Sequence, residues 1–354
     1  MKPKLYKSLL YSMVGAGMLS LGSCTDLSET IYNQIASEKY EFTEKDAASM
    51  FAPVYSSLRN FYWAWYGYAD LDICTDMWVI PLRIGVGWGD LYINLHEHTF
   101  HSEIGHFSGL WSNAYSGINA CNKLLADEAV QESEESVAQL RAYRALYYYL
   151  LFDLFRNIPL DTTYDHPDGW LPEQAEPQEV WDFIISELDD IKDKCGDEVE
   201  MGKINNYTVH MILAKMYLNH NAWFDDHSDD SYYRKCVDEL NVIIESNKFS
   251  LAPNYADNFK EDISSSPEII FGIPFEYLYA SGNYFANLWM NEAGRATFGF
   301  TGWATGGGAA LPQFLDTYDK NNDTRYTDCW IGGCPARPEW KHHLCGRPAF
   351  ELYV

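Results

Sequence analysis

Basic side chains are scarce in this 354-residue chain: 25 Lys and Arg stand against 51 Asp and Glu, for a formal net charge of −26. Such a surface repels the phosphates of nucleic acid and of anionic membranes. Salt confines each charge to about 8 Å, so a local cationic patch is still allowed. Cysteine is sparse too, and eight of them over this length make no small-domain disulfide framework. Cys121 and Cys236 fall on stretches of helical spacing, where a thiol serves as a small hydrophobe. The sequence holds no Gly-x-Ser-x-Gly, no phosphate loop and no His-Glu-x-x-His. That removes the hydrolases, nucleotide binders and zinc proteases that these motifs mark. The N-terminal apolar stretch, Leu9–Leu21, has 13 residues. At 1.5 Å per residue it reaches about 20 Å, short of the ~30 Å hydrocarbon core of a bilayer.

That stretch follows Lys2, Lys4 and Lys7 and ends in Leu21-Gly22-Ser23-Cys24. A basic start, an apolar middle and small residues before a cysteine read as a signal peptide, and the last four residues resemble a bacterial lipobox. Residues 1–23 are therefore expected to be removed, and Cys24 to become an acylated N-terminus carrying palmitate-type chains. Two or more chains give stable attachment to a membrane without a spanning helix.

Apolar and aromatic residues are plentiful. Hydrophobic residues make up 47% of the chain and aromatic ones 16%, with 12 Trp and 26 Tyr, so a large core is possible and most rings fill it. Thr43 with Asp46 predicts a helix running toward Arg59. Leu110, Ala114, Ile118, Cys121 and Leu125 mark one helix face. "SVAQLRAYRALYYYLLFDLF" predicts a helix apolar nearly all round from Ala142 to Phe155, hence buried between neighbours, with Glu134 and Glu135 at its positive end and Pro159 as its stop. "PQEVWDFIISELDDIKDKCG" has Pro177 near its start, Gly196 past its end, and a stripe of Val180, Ile184, Leu188 and Ile191. "YTVHMILAKMYLNH" and "YYRKCVDELNVIIESN" predict a tetratricopeptide-style pair, with Ala214 and Tyr217 facing Cys236, Leu240 and Ile243. The expected fold class is mainly α: tetratricopeptide-like helix pairs with an irregular, aromatic-rich region, chiefly residues 60–108, and irregular chain again after Phe249.

Rings beside glycine in loops are the informative ones, because packing gives no reason for them there. "GWGDLYINLHEHTFH", Gly87–His101, places Trp88 between two glycines, with Asp90, Tyr92 and Asn94 after it. A sugar ring stacks its C–H faces on an aromatic face, and a few polar groups fix its orientation. Trp88 is thus a candidate platform, with Asp90, Tyr92 and Asn94 beside it. Trp303 in "FGFTGWATGGGAA" is presented in the same way, with Tyr284 and Trp289 as further candidates upstream. The competing reading of the first stretch is a metal site from His96, Glu97, His98 and His101. Alternating ligands need an extended backbone to share a face, and a third ligand three residues on leaves it. Structural packing is the other alternative.

Other candidates fit less well. Cys329, Cys334, His342, His343 and Cys345 lack the paired spacing of zinc sites. "DKNNDT" places Asp319, Asn321 and Asp323 like calcium ligands, but Thr324 and Trp330 stand where Gly and Glu are needed. Asp70, Asp72 and Asp76 supply the close carboxylates a glycosidase uses, as expected by chance in so acidic a chain. No metal or other cofactor is expected.

Taken in order, the lipobox, "DICTDMW", the His-containing loop before "LWSNAYSGINACNKLL", "LRAYRALYYYLLFDLFRNIPL", "LAKMYLN", "SSSPEIIFGIP" and "LPQFLDTYDKNNDTRY" resemble the SusD/RagB family of outer-membrane glycan-binding lipoproteins. The resemblance covers most of Cys24–Asp328 and implies a SusD-like α-helical domain over 24–328. It further implies a lipid-anchored position at the cell outer membrane facing outward, a SusC-like TonB-dependent porin as partner, and oligosaccharide binding without catalysis. A His just before the Trp111 helix is also a feature of the family, which implies a packing or hydrogen-bonding role for it. The acidity of the chain favours a neutral glycan. The later part of the family pattern is missing. Residues 329–354, including "IGGCPARPEWKHHLCGRPAFELYV", match nothing in it and read as an atypical tail, as in a truncated or frame-shifted product. The alternative function is a helical glycoside hydrolase on the same lipid anchor. New reducing ends on incubation with oligosaccharide separate the two.

Overall fold

A computed structural model describes residues 44–63, 66–81, 90–260, 262–276 and 302–331, with 278, 280, 283–290, 294–295, 299 and 351–352. The expected signal peptide, Cys24, Trp88, Cys334, His342, His343 and Cys345 lie outside the described residues. The helices are α1 (Glu44–Phe61), α2 (Asp90–His96), α3 (Gly105–Leu125), α4 (Glu128–Gln131), α5 (Glu134–Phe155), α6 (Pro177–Ile191), α7 (Asn206–Phe224), α8 (Ser231–Glu245), α9 (Phe285–Trp289), α10 (Pro312–Leu315) and α11 (Arg325–Cys329). Strand is minor: β1 (Trp78–Val79) pairs antiparallel with β2 (Ala309–Ala310), Trp78 opposite Ala310, and β3 (Trp330–Ile331) with β4 (Glu351–Leu352). The mainly helical fold class expected from the periodicity is the observed one.

The long helices form where the apolar spacing places them, and their ends follow local chemistry. The Ser133 hydroxyl caps α5 by accepting the Ser136 N–H, with Glu134 and Glu135 in the first turn. α5 stops at Phe155, short of Pro159, because Arg156 adopts a positive φ of 59° and its N–H closes on the Phe152 carbonyl. A residue with positive φ has left the helical conformation, so the helix ends there without a proline. Asn205 caps α7 through the Thr208 N–H, at 2.9 Å, and Gly196 after α6 sits at φ 76°.

Neighbours in sequence pack together: α3 on α5, α5 on α6, α7 on α8. Leu110, Ala114, Ile118 and Cys121 of α3 are buried, as are Val180, Ile184, Leu188 and Ile191 of α6. Each fully buried Leu or Ile contributes about 2 kcal/mol. From Ala138 to Phe152, α5 is buried on nearly every side, as an all-round apolar helix must be. Its polar members are paired within the core, apart from the buried Nε of Arg144. Arg144 donates to Asn122 at 2.9 Å and to Glu187 at 2.6 Å, and Glu187 also accepts from Arg141. Burial pushes the Cys121 thiol up to about 12, so it is a neutral core group.

A second, smaller core lies under the irregular region. It gathers Ile73 from a short 3-10 helix (Tyr68–Cys74), Trp78 and Ile80 around β1, and Tyr92 and Leu95 from α2. Ile104, Leu288 and Trp289, Ala310, Leu315 and Trp330 complete it. Trp330, read from the sequence as tail, packs on Phe314 with ring centroids 5.7 Å apart and donates its indole N–H to the Tyr318 hydroxyl. Packed structure therefore continues through Trp330. Among the described residues, no helix is long and apolar enough to cross a membrane.

Candidate functional site

The glycine-rich stretch after Trp303 lies along the end of α9. Thr305 N–H donates to the Asn287 carbonyl, Gly306 N–H to Met290 and Gly307 N–H to Leu288, at 2.8–2.9 Å. These bonds satisfy carbonyls that a helix end leaves open. The glycines are needed for the approach. A Cβ on Gly307 would stand 2.8 Å from the Leu288 carbonyl oxygen and 3.0 Å from the Trp289 ring. The Asn287 side chain donates to the Trp303 carbonyl at 2.9 Å. Trp303 is thus held by its backbone while its indole remains 45% exposed.

Behind Trp303 stands Tyr284, ring centroids 5.8 Å apart and tilted by 45°. Behind Tyr284 stands Trp63, again at 5.8 Å, edge-on at 68°. Two sequence candidates, Tyr284 and Trp303, are brought together by the fold, and a third ring joins them from the chain just after α1. Trp63 was missed from sequence. It lies in "FYWAWYGY", an aromatic run beside Gly67, and that neighbourhood of rings and glycine was the available signal. The three rings offer a row of aromatic surface with amide and hydroxyl groups of Asn287 and Thr305 nearby.

The other candidates are placed differently. Trp289 is only 2% exposed and meets Trp78 edge-on at 4.7 Å. Tyr92 is 3% exposed and donates its hydroxyl to Asp70. Both are core rings with no open face for a sugar, because each sits on the inward side of a short helix that periodicity did not reveal. Residues 90–96 form helix rather than loop. Asp90 opens that helix. Asn94, half-buried, accepts the Thr99 hydroxyl and meets the His101 ring at 3.3 Å.

Two histidines of this stretch, His96 and His98, are spent on the backbone. His96 Nδ1 lies 3.1 Å from the Ile73 carbonyl and His98 Nε2 2.7 Å from that of Cys74. Their donated protons satisfy the end of the 3-10 helix. His106, at the start of α3, pairs with Asp70 at 3.1 Å, both side chains fully buried. Burial pushes the Asp70 carboxyl up, opposed by its bonds to His106, the Tyr66 N–H and Tyr92. Asp72 and Asp76 are exposed, so the three aspartates do not share one site: the first is sealed from any substrate. Asp323 accepts the Arg325 N–H at 3.0 Å and its Nε–H at 2.8 Å, closing the acidic turn on the arginine. An apolar hollow of about 410 Å³ lies elsewhere, lined by Leu71, Cys74, Phe100, Phe107, Leu154 and Phe155. Those side chains offer little to a ligand rich in hydroxyls.

No family model matches the chain. A SusD-like protein of Bacteroides ovatus is 23% identical over 234 residues, which is 60% of this chain and 42% of that protein. The chain spans less than half the length of the curated relatives it matches. Among solved structures, a SusD superfamily protein from Parabacteroides distasonis superposes with a TM-score of 0.71 at 19% identity, over 88% of this chain and 69% of the other. Surface glycan-binding protein A from Bacteroides thetaiotaomicron, solved in complex with laminarihexaose, superposes with a TM-score of 0.63 at 22% identity, over 82% and 63%. The resemblance drawn from the sequence motifs holds in the relatives, and the fold is the SusD-like one.

Proposed function

We propose that this chain of SusD-like fold binds oligosaccharides at the cell surface and passes them to a SusC-like TonB-dependent porin, without acting on them chemically. The observation that carries the reading is the exposed Trp303 set against Tyr284 and Trp63. A pyranose presents C–H groups on its faces and hydroxyls around its edge. The aromatic faces meet the first through their negative quadrupole, and the amide of Asn287 and the hydroxyl of Thr305 suit the second. Trp88, with Asp90 and Asn94, is proposed as a further contact from the sequence alone. The SusD-like relatives support surface glycan binding, and the excess of acids favours a neutral glycan, which would not be repelled.

Trp303→Ala is expected to weaken binding of laminarihexaose by about 1–3 kcal/mol, the worth of an aromatic face covered by a ligand, with the helical circular dichroism unchanged. Isothermal titration checks this. Equal affinity in the variant sinks the platform.

The lipid anchor belongs to the same proposal. A protein that hands ligand to a porin must stay beside it, and acyl chains on Cys24 would hold it there. Cys24→Ala is expected to move the protein from the membrane fraction to the soluble one when it is expressed without the porin. A variant that still sediments with membranes would show that another element anchors it.

A further inference from the structure

The buried Asp70–His106 pair takes no part in sugar contact, and its placement calls for a reason. Asp70 Oδ2 gathers three donors from three elements: the Tyr66 N–H at 2.9 Å, the His106 Nε2–H at 3.1 Å from α3, and the Tyr92 hydroxyl at 3.3 Å from α2. Asp70 Oδ1 and His106 Nδ1 are buried with no hydrogen-bond partner among the described residues. The fold retains a carboxylate at a desolvation cost that a packed hydrophobe would avoid. The backbone it holds explains why. Tyr66 sits at φ 55°, a conformation that tyrosine avoids. Its ring lies over Tyr92 at 6.4 Å and 11°, and edge-on to His106 at 5.0 Å. Gly67 follows, and a Cβ there would run into the Trp63 carbonyl. The chain therefore folds back on Trp63 at this point, and Asp70 fixes the residue on which the fold-back depends.

We propose that Asp70, with His106 and Tyr92, is the positioning group for Trp63. Its carboxylate clamps the turn before the 3-10 helix and so sets the inner ring of the Trp63–Tyr284–Trp303 row without touching ligand. This rests on the platform reading above. Among the described residues, the groups bonded to the carboxylate are the Tyr66 N–H, the Tyr92 hydroxyl and the His106 ring.

Asp70→Asn keeps the shape but cannot accept three donors at one position. In the full chain without ligand, hydrogen–deuterium exchange is expected to show lost protection in the peptide covering residues 62–67, with α5 to α8 unchanged. Laminarihexaose affinity is expected to fall about fivefold to tenfold in the wild-type background and less than about twofold in a Trp63→Ala background, since coupled residues are not additive. A general loss of stability would lower affinity equally in both backgrounds. Tyr92→Phe, which removes one hydroxyl and keeps the ring, is expected to give the same pattern more weakly if Asp70→Asn does not fold. Unchanged exchange at 62–67 overturns the inference, as do equal losses in the two backgrounds. If Trp63→Ala and Trp303→Ala leave binding intact while exchange at 62–67 rises in Asp70→Asn, the platform fails and the clamp stands as a feature of the turn alone.

Discussion

Gly117→Leu is expected to destabilise the protein by about 4 kcal/mol or more, a large part of a typical domain's margin. Gly117 lies within α3, where glycine ordinarily costs about 1 kcal/mol relative to alanine. Here it is required. Any Cβ at this position would enter the ring of Tyr147 on α5. That ring is fully buried, and its hydroxyl donates to the Val54 carbonyl of α1 at 2.6 Å. One side chain thus ties three helices, and the glycine is the gap through which it passes. Even Gly117→Ala is expected to lower the urea midpoint, opposite to the sign of helix propensity. An alanine variant more stable than wild type would show that Tyr147 can move aside without cost.

Glu187→Ala is expected to cost about 3–5 kcal/mol, as when one partner of a buried ion pair is removed. Glu187 on α6 accepts from Arg144 at 2.6 Å and from Arg141 at 2.9 Å. Arg144 is almost wholly enclosed, and its remaining hydrogen bond goes to Asn122 of α3. Truncating the carboxylate leaves a guanidinium inside the helix stack facing a cavity. Chemical unfolding of the variant measures the loss. Combining it with Arg144→Met should recover part of it, because the stranded charge is the expensive element. A double variant no more stable than the single one would place the energy in the Arg141–Glu187 pair instead.

The helical frame was legible because its signals are local. A 3.6-residue stripe such as Val180, Ile184, Leu188 and Ile191 needs no knowledge of its partner to announce which face is buried. The capping serine of α5 and the proline opening α6 act within one turn. The ordered motifs "LRAYRALYYYLLFDLFRNIPL" and "LPQFLDTYDKNNDTRY" pointed to the SusD-like fold, which the structure bears out.

The site was legible only in part. Trp303 stood out through the glycines around it, a local cue, and Tyr284 as a ring upstream of that stretch. Tyr92 and Trp289 were candidates only through nearness in sequence to Trp88 and Trp303, and both are core rings. A seven-residue helix such as Asp90–His96 is too short for periodicity to separate its inner from its outer face.

What the sequence by itself determined is the sequence of helices, their buried faces, the acidic surface and the absence of the common catalytic motifs. All of these depend on residues within a few positions of one another. Only the tertiary structure decided which aromatic rings face outward together. Trp63, Tyr284 and Trp303 are separated by 221 and 19 positions in the chain, and no spacing rule relates them. Their meeting depends on Tyr284, just before α9, reaching Trp63, just after α1, and on the Gly306–Gly307 backbone closing over the helix end. It likewise decided that Asp70, one of three neighbouring acids, is the one sealed inside. Exposure is a property of what covers a residue, and what covers Asp70 is His106 and Tyr92, brought in by elements further along the chain.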